Sequence, residues 1–120
     1  MKTTLIKRRQ AMKRDPLPRC HGGEGSLDWT VVLDGADTKG RKLHFIHDDI
    51  LAPGVSIGIH PHDTDEEYYL ILSGNGVMTL DGEKFAVGPG DVTAIFPGGS
   101  HGLENTGTDE MRVIVIGLRK

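Results

Sequence analysis

The sequence predicts an all-β protein, a sandwich or a barrel. Three observations carry that reading: 17 glycines and six prolines in 120 residues, short apolar runs, and turn signals that separate those runs at roughly ten-residue spacing. The length gives room for one domain with one core.

The elements follow in order. Residues 3–14 read as a short helix, ended by Asp15-Pro16-Leu17-Pro18 because proline disfavours helix in the residue before it. His21-Gly22-Gly23-Glu24-Gly25 reads as a flexible loop. Asp28 to Leu33 reads as a strand closed by the turn Asp34-Gly35, and Lys42 to His47 alternates as another. Pro53-Gly54 turns the chain into a strand from Val55 to His62; Glu67 to Leu72 is the next, ended by Ser73-Gly74-Asn75-Gly76. Val77 to Leu80 and Glu83 to Val87 flank Asp81-Gly82, a two-residue type I′ hairpin signal. After Gly88-Pro89-Gly90-Asp91 come a strand from Val92 to Phe96, a loop with His101, and a β-branched strand from Met111 to Gly117.

Charge divides the chain unevenly. The first 20 residues carry seven basic side chains against Asp15, while the rest carry seven basic and 16 acidic, for a net charge of −3. A basic arm can bind nucleic acid, but this one has no interleaved aromatics. Docking on its own acidic barrel or on a partner subunit is the better expectation, and no nucleic acid is expected as a partner. No run approaches the roughly 20 apolar residues that span a bilayer, and the basic N-terminus lacks the apolar stretch of a secretory signal. Cys20 is the only cysteine, which excludes an intrachain disulfide and a zinc ribbon. The expected setting is the cytoplasm, away from membranes.

The chemistry concentrates in residues 54–74. His60 and His62 stand two positions apart, so in a strand both project from one face and can address one atom. Glu67 follows across a short acidic loop, and His101 offers a third imidazole. Three imidazoles and a carboxylate suit Mn, Fe, Ni, Cu, Co or Zn. The competing reading is a solvated acidic loop of Asp63, Asp65, Glu66 and Glu67 beside surface histidines.

Order and spacing tip the balance. Gly54, His60-x-His62, Glu67 and Gly74, with five, four and six residues in the gaps, resemble the first signature motif of the cupin superfamily at every fixed position. Gly90, His101 and Asn105 resemble its second motif, with Phe96 where a proline is usual and Pro97 after it. The motifs are 15 residues apart, Asn75 to Pro89, the short spacing of compact microbial cupins. The resemblance implies a jelly-roll barrel of two antiparallel sheets over residues 28–120. Residues 1–27 form a basic N-terminal arm and Gly-rich loop, which is a candidate lid over the barrel mouth.

On such a barrel His60, His62, Glu67 and His101 converge as metal ligands. The gap to Gly74 selects Glu67 over Glu66. By parity Tyr69 shares the inner face with Glu67 and is a candidate pocket residue, while Tyr68 faces outward. His44 and His47 point to opposite faces and are expected to stand apart from the metal, as are Cys20 and His21. Cupins of this size commonly pair through the back of one sheet, and the outward residues between Met111 and Ile116 are apolar enough for a homodimer.

The resemblance is nearest to small bacterial cupins described as predicted oxalate decarboxylase-like. It implies a manganese- or iron-dependent enzyme acting on a small oxygen-rich molecule: a dicarboxylate, keto acid or enediol. Its alternatives are a sugar or sugar-phosphate isomerase- or epimerase-like protein and a non-catalytic, metal-dependent ligand-binding module. Oxalate decarboxylases carry arginine three residues before the first ligand histidine, where this chain has Ile57. Lys42, Arg112 or a partner's arm would have to supply the missing cation, and Glu24 is the only counterpart for an acid/base lid.

Overall fold

A computed structural model describes residues 3–120; Met1 and Lys2, at the start of the expected arm, lie outside the described residues. Ten strands are arranged in two antiparallel sheets, the jelly-roll barrel that the sequence predicts. They are β1 Lys13–Pro18, β2 Ser26–Leu33, β3 Leu43–Leu51, β4 Ser56–Pro61, β5 Glu66–Ser73, β6 Gly76–Leu80, β7 Glu83–Val87, β8 Val92–Ile95, β9 Ser100–Glu104 and β10 Met111–Leu118. The larger sheet runs β1-β2-β3-β10-β5-β8 and the smaller β4-β9-β6-β7. One helical turn, α1 Gly35–Thr38, follows β2; Asp34 caps it in a capping box with Asp37.

Alternation decides which side chains enter the core. Along β10, Met111, Val113 and Val115 are buried while Arg112, Ile114 and Ile116 face out. The core is packed with Leu51, Ile71, Met78, Leu103, Met111 and Val113, each at most 1 % exposed. The hairpin joining β6 and β7 has positive φ at both Asp81 and Gly82 (49° and 81°), as a type I′ turn requires.

The N-terminal segment departs from the expected helix. Residues Arg9–Ala11 form a single 3₁₀ turn, and the chain then enters β1, paired with β2 from Lys13↔Val31 to Pro18↔Ser26. Pro16 and Pro18 end a helix but are tolerated on an edge strand, whose outer amides need no partner. The arm's cations meet acids of the barrel: Lys7 pairs with Asp37 at 2.7 Å, Arg9 with Asp48 at 3.0 Å, and Arg14 with Asp28. His101 lies on β9, just past the loop that follows β8.

Candidate metal centre

The smaller sheet brings two of the histidines together directly. His60 on β4 lies opposite His101 on β9. His62, just past β4, is kept in extended register by backbone bonds from its amide to Gly99 O (3.0 Å) and from Gly98 N to its own carbonyl (2.7 Å). Glu67 enters from β5 on the larger sheet, so the cluster bridges both sheets.

A bulge sets the aim of His60. Between Ile57 and His60 the register with β9 slips by one residue, because Ile57 pairs with Leu103 and His60 with His101. The extra residue restores inward parity, so Ile57 and His60 are both buried while Ile59 is 64 % exposed.

All four side chains are buried, and one ligand atom from each of His60, His62, Glu67 and His101 lies within 4.8 Å of the others. His60 Nε2 and His101 Nε2 are 3.1 Å apart, a distance that requires a proton or a cation between two nitrogen lone pairs. Glu67 Oε1 lies 3.4 Å from His101 Nε2 and 3.7 Å from His62 Nε2, and His62 Nε2 is buried without a hydrogen-bond partner. An orphaned imidazole nitrogen beside a carboxylate and two further imidazoles fits a first-row divalent ion.

Neighbouring groups orient the rings. His60 Nδ1 donates to the Gly58 carbonyl at 2.7 Å, and His62 Nδ1 donates to Asp65 Oδ1 at 3.0 Å. Each bond places the proton on Nδ1 and leaves the Nε2 lone pair pointing into the cluster. Burial pushes His60 down to about 4, which keeps it neutral at ordinary pH. Asn105 of the second motif is structural: its Nδ2 donates to the carbonyls of Leu51 (2.8 Å) and Asp109 (2.9 Å).

Tyr69 lies on the inner face, 2 % exposed, with its ring 4.8 Å from that of His101. Burial, then the nearby Glu67 and Asp49, holds its phenol well above the ordinary range. Glu66 and Tyr68 are only partly buried and stand outside the cluster. Arg112 is bound to Asp48 on the outer face, and Lys42 reaches the Lys120 carbonyl; neither supplies a cation to the site.

Three neighbours go beyond the sequence reading. His21 stacks on His60, with ring centroids 3.5 Å apart and 12° between planes. The turn that carries it is seated by glycine: a Cβ at Gly58 would overlap the His21 carbonyl, and one at Gly23 the Ser56 carbonyl. His47 points into the barrel against Phe45 (4.3 Å) and Trp29 (5.4 Å), and burial pushes it down to about 4. Asp49 is 4 % exposed on the same inner face. Two adjacent acids inside a strand, Asp48 and Asp49, are the sequence signal that could have found it, because one of the pair must face the core.

Known proteins share this architecture. An oxalate-binding protein of Thermotoga maritima is 28 % identical over 114 residues, covering 95 % of this chain and 93 % of that one. The solved structure of a predicted oxalate decarboxylase from Thermotoga maritima superimposes with a TM-score of 0.89 at 27 % identity, covering 97 % of this chain and all of its own. KdgF from Halomonas sp. shares the fold, with a TM-score of 0.75 at 15 % identity over 98 % of this chain and 96 % of its own. The cupin domain model matches residues 48–117, which contain the paired histidines, the glutamate and the third histidine. With that match and the two-sheet barrel built around it, this chain belongs to the cupin family.

Proposed function

We propose that the chain holds a divalent transition metal, manganese or iron first, through His60, His62, Glu67 and His101. We further propose that it acts at that metal on a small oxygen-rich molecule, as a decarboxylase- or dioxygenase-like enzyme. The observation that carries this reading is the convergence of four buried ligand atoms within 4.8 Å, with two imidazole lone pairs already aimed inward. Four protein ligands leave about one or two coordination positions open for substrate. A bound metal supplies Lewis acidity toward the substrate oxygens placed there. The chain's own residues do the remaining work: the Gly58 carbonyl and Asp65 hold the imidazole tautomers, Tyr69 walls the pocket, and His21 covers the outer side of His60.

A second reading, ligand capture without turnover, draws support from Ile57. This buried aliphatic side chain stands where an arginine would clamp a substrate carboxylate, and Arg112 and Lys42 are engaged elsewhere. The same shortage of cations speaks against a sugar-phosphate ligand.

Elemental analysis of protein purified without added metal tests the metal. The expected content is about one ion per chain, falling at least about tenfold in His62→Ala. A content below roughly 0.2 per chain, unrecovered with Mn, Fe, Ni or Zn, overturns the reading. Metal-dependent product formation separates the enzyme from the binding module. The outward residues Ile46, Ile50, Leu70, Ile114 and Ile116 form one apolar, half-buried face of the larger sheet, which supports a homodimer through that face.

A further inference from the structure

We propose that Asp49 and Trp29 form a second anchor for the ligand, one that takes a hydroxyl or enol group at the end of the molecule away from the metal. This rests on the metal reading above, because the metal-bound end orients the ligand.

Register places the two residues side by side. Trp29 on β2 lies opposite Asp49 on β3, so both side chains leave the same face of the larger sheet. That face is the inner one: Asp49 lies opposite Val113, which pairs with Ile71, and two strand repeats away Phe45 lies in line with Gly117 and Glu67. Trp29 Nε1 and Asp49 Oδ1 are both buried without a hydrogen-bond partner. Buried orphans of this kind are rare and costly. Here one is a donor and its neighbour an acceptor, both in a barrel whose metal cluster also lacks a partner at His62 Nε2.

The pair selects by chemistry. Trp29 Nε1–H can only donate and the Asp49 carboxylate accepts, so a hydroxyl, which does both, satisfies the two at once. A second carboxylate would meet the charges of Asp49 and Glu67. The nearby cation is Lys13, whose Nζ is 5.7 Å from the Trp29 ring centroid; it is 69 % exposed and 3.7 Å from Asp15. Arg9 and Arg112 lie behind the sheet on Asp48. Burial, then the charges of Asp48 and Glu67, pushes Asp49 up to about 7, the mark of an interior that already resists negative charge. The ligand class is therefore a hydroxy or enolic acid rather than a dicarboxylate.

The test uses the full chain loaded with zinc and ligand pairs of matched length: 3-hydroxypropionate against malonate, and 4-hydroxybutyrate against succinate. Oxalate is the control, because it can place both carboxylates on one metal and leave the anchor untouched. Calorimetry should show the hydroxy acid binding about tenfold tighter than its dicarboxylate in at least one pair. Asp49→Val and Trp29→Phe should each weaken that hydroxy acid about tenfold while leaving oxalate affinity and zinc content unchanged. Trp29 is the only tryptophan, so its emission in the unaltered protein should respond saturably to the hydroxy acid and not to oxalate; this readout needs no variant to fold. Dicarboxylates binding tighter in both pairs, or a Trp29 emission indifferent to both hydroxy acids, overturns the anchor. Metal content is read separately by elemental analysis; a chain that retains none of Mn, Fe, Ni or Zn overturns the metal reading and removes the anchor's orienting end with it.

Discussion

His62 shows how little room a ligand residue has. Its Nδ1 proton is held by Asp65 and its Nε2 lone pair by nothing, so the side chain is committed before any metal arrives. Asp65→Ala should therefore lower metal affinity by about ten- to a hundredfold while leaving the fold intact, measured by competition with a chromogenic chelator. Acid sensitivity belongs to the same scale. In the unfolded chain an imidazole takes its proton near 6.5; in the fold, burial pushes His47 and His60 down to about 4. Between those values the unfolded chain binds more protons, so these two residues make stability fall as pH drops from about 6.5 to about 4. Asp49, pushed up to about 7, works in the opposite direction, because the fold takes its proton first and gains stability between about 7 and 4. Urea melts of metal-free protein should therefore show His47→Gln losing less stability than the unaltered chain between pH 7 and pH 4.5.

The turn between β1 and β2 is the element that brings His21 to the metal cluster. It folds back over β4, held by Ser56 N donating to the Glu24 carbonyl (2.9 Å) and Glu24 N donating to Ser56 Oγ (2.8 Å). The facing glycines Gly23 and Gly58 allow backbone to meet backbone, and that contact seats the His21 ring on His60. A methyl group at Gly58 has nowhere to go. Gly58→Ala should cost about 1–3 kcal/mol, lower the melting temperature, and expose Arg19 to faster cleavage by trypsin. Arg19 and His21 have positive φ (both 51°), a conformation that side chains rarely adopt and that the clasp maintains.

At the scale of the whole molecule the two faces of the larger sheet have divided tasks. The inner face carries Glu67, Tyr69, His47 and Asp49; the outer carries an apolar field interrupted by Asp48, which is 2 % exposed beneath Arg9 and Arg112. A homodimer through this field predicts that Ile114→Asp yields a monomer in sedimentation velocity with an unchanged far-ultraviolet spectrum. Val92 and Phe96, 64 % and 57 % exposed, lie at the edge of the same sheet, and the backbone amides of residues 92–96 should exchange more slowly in the dimer.

Alternation and turn chemistry are local, so the sequence alone determined most of the strands, the Asp81-Gly82 hairpin and the shared face of Glu67 and Tyr69. Motif spacing likewise identified the four residues that the barrel brings together. The helix expected over residues 3–14 gives way to an extended arm that sets Lys7 on Asp37 and Arg9 on Asp48, and from Lys13 the chain pairs along the edge of β2, where Pro16 and Pro18 are admissible. Only the tertiary structure decided which groups surround the cluster. His21 reaches His60 through a glycine clasp 35 residues apart in sequence (Gly23 to Gly58), and the inward aim of both Ile57 and His60 depends on a bulge that simple alternation does not reveal. Asp49 and Trp29 meet by strand pairing alone. Each of these depends on contacts between distant segments, whose register is set by the packing of the whole barrel and not by any residue's immediate neighbours.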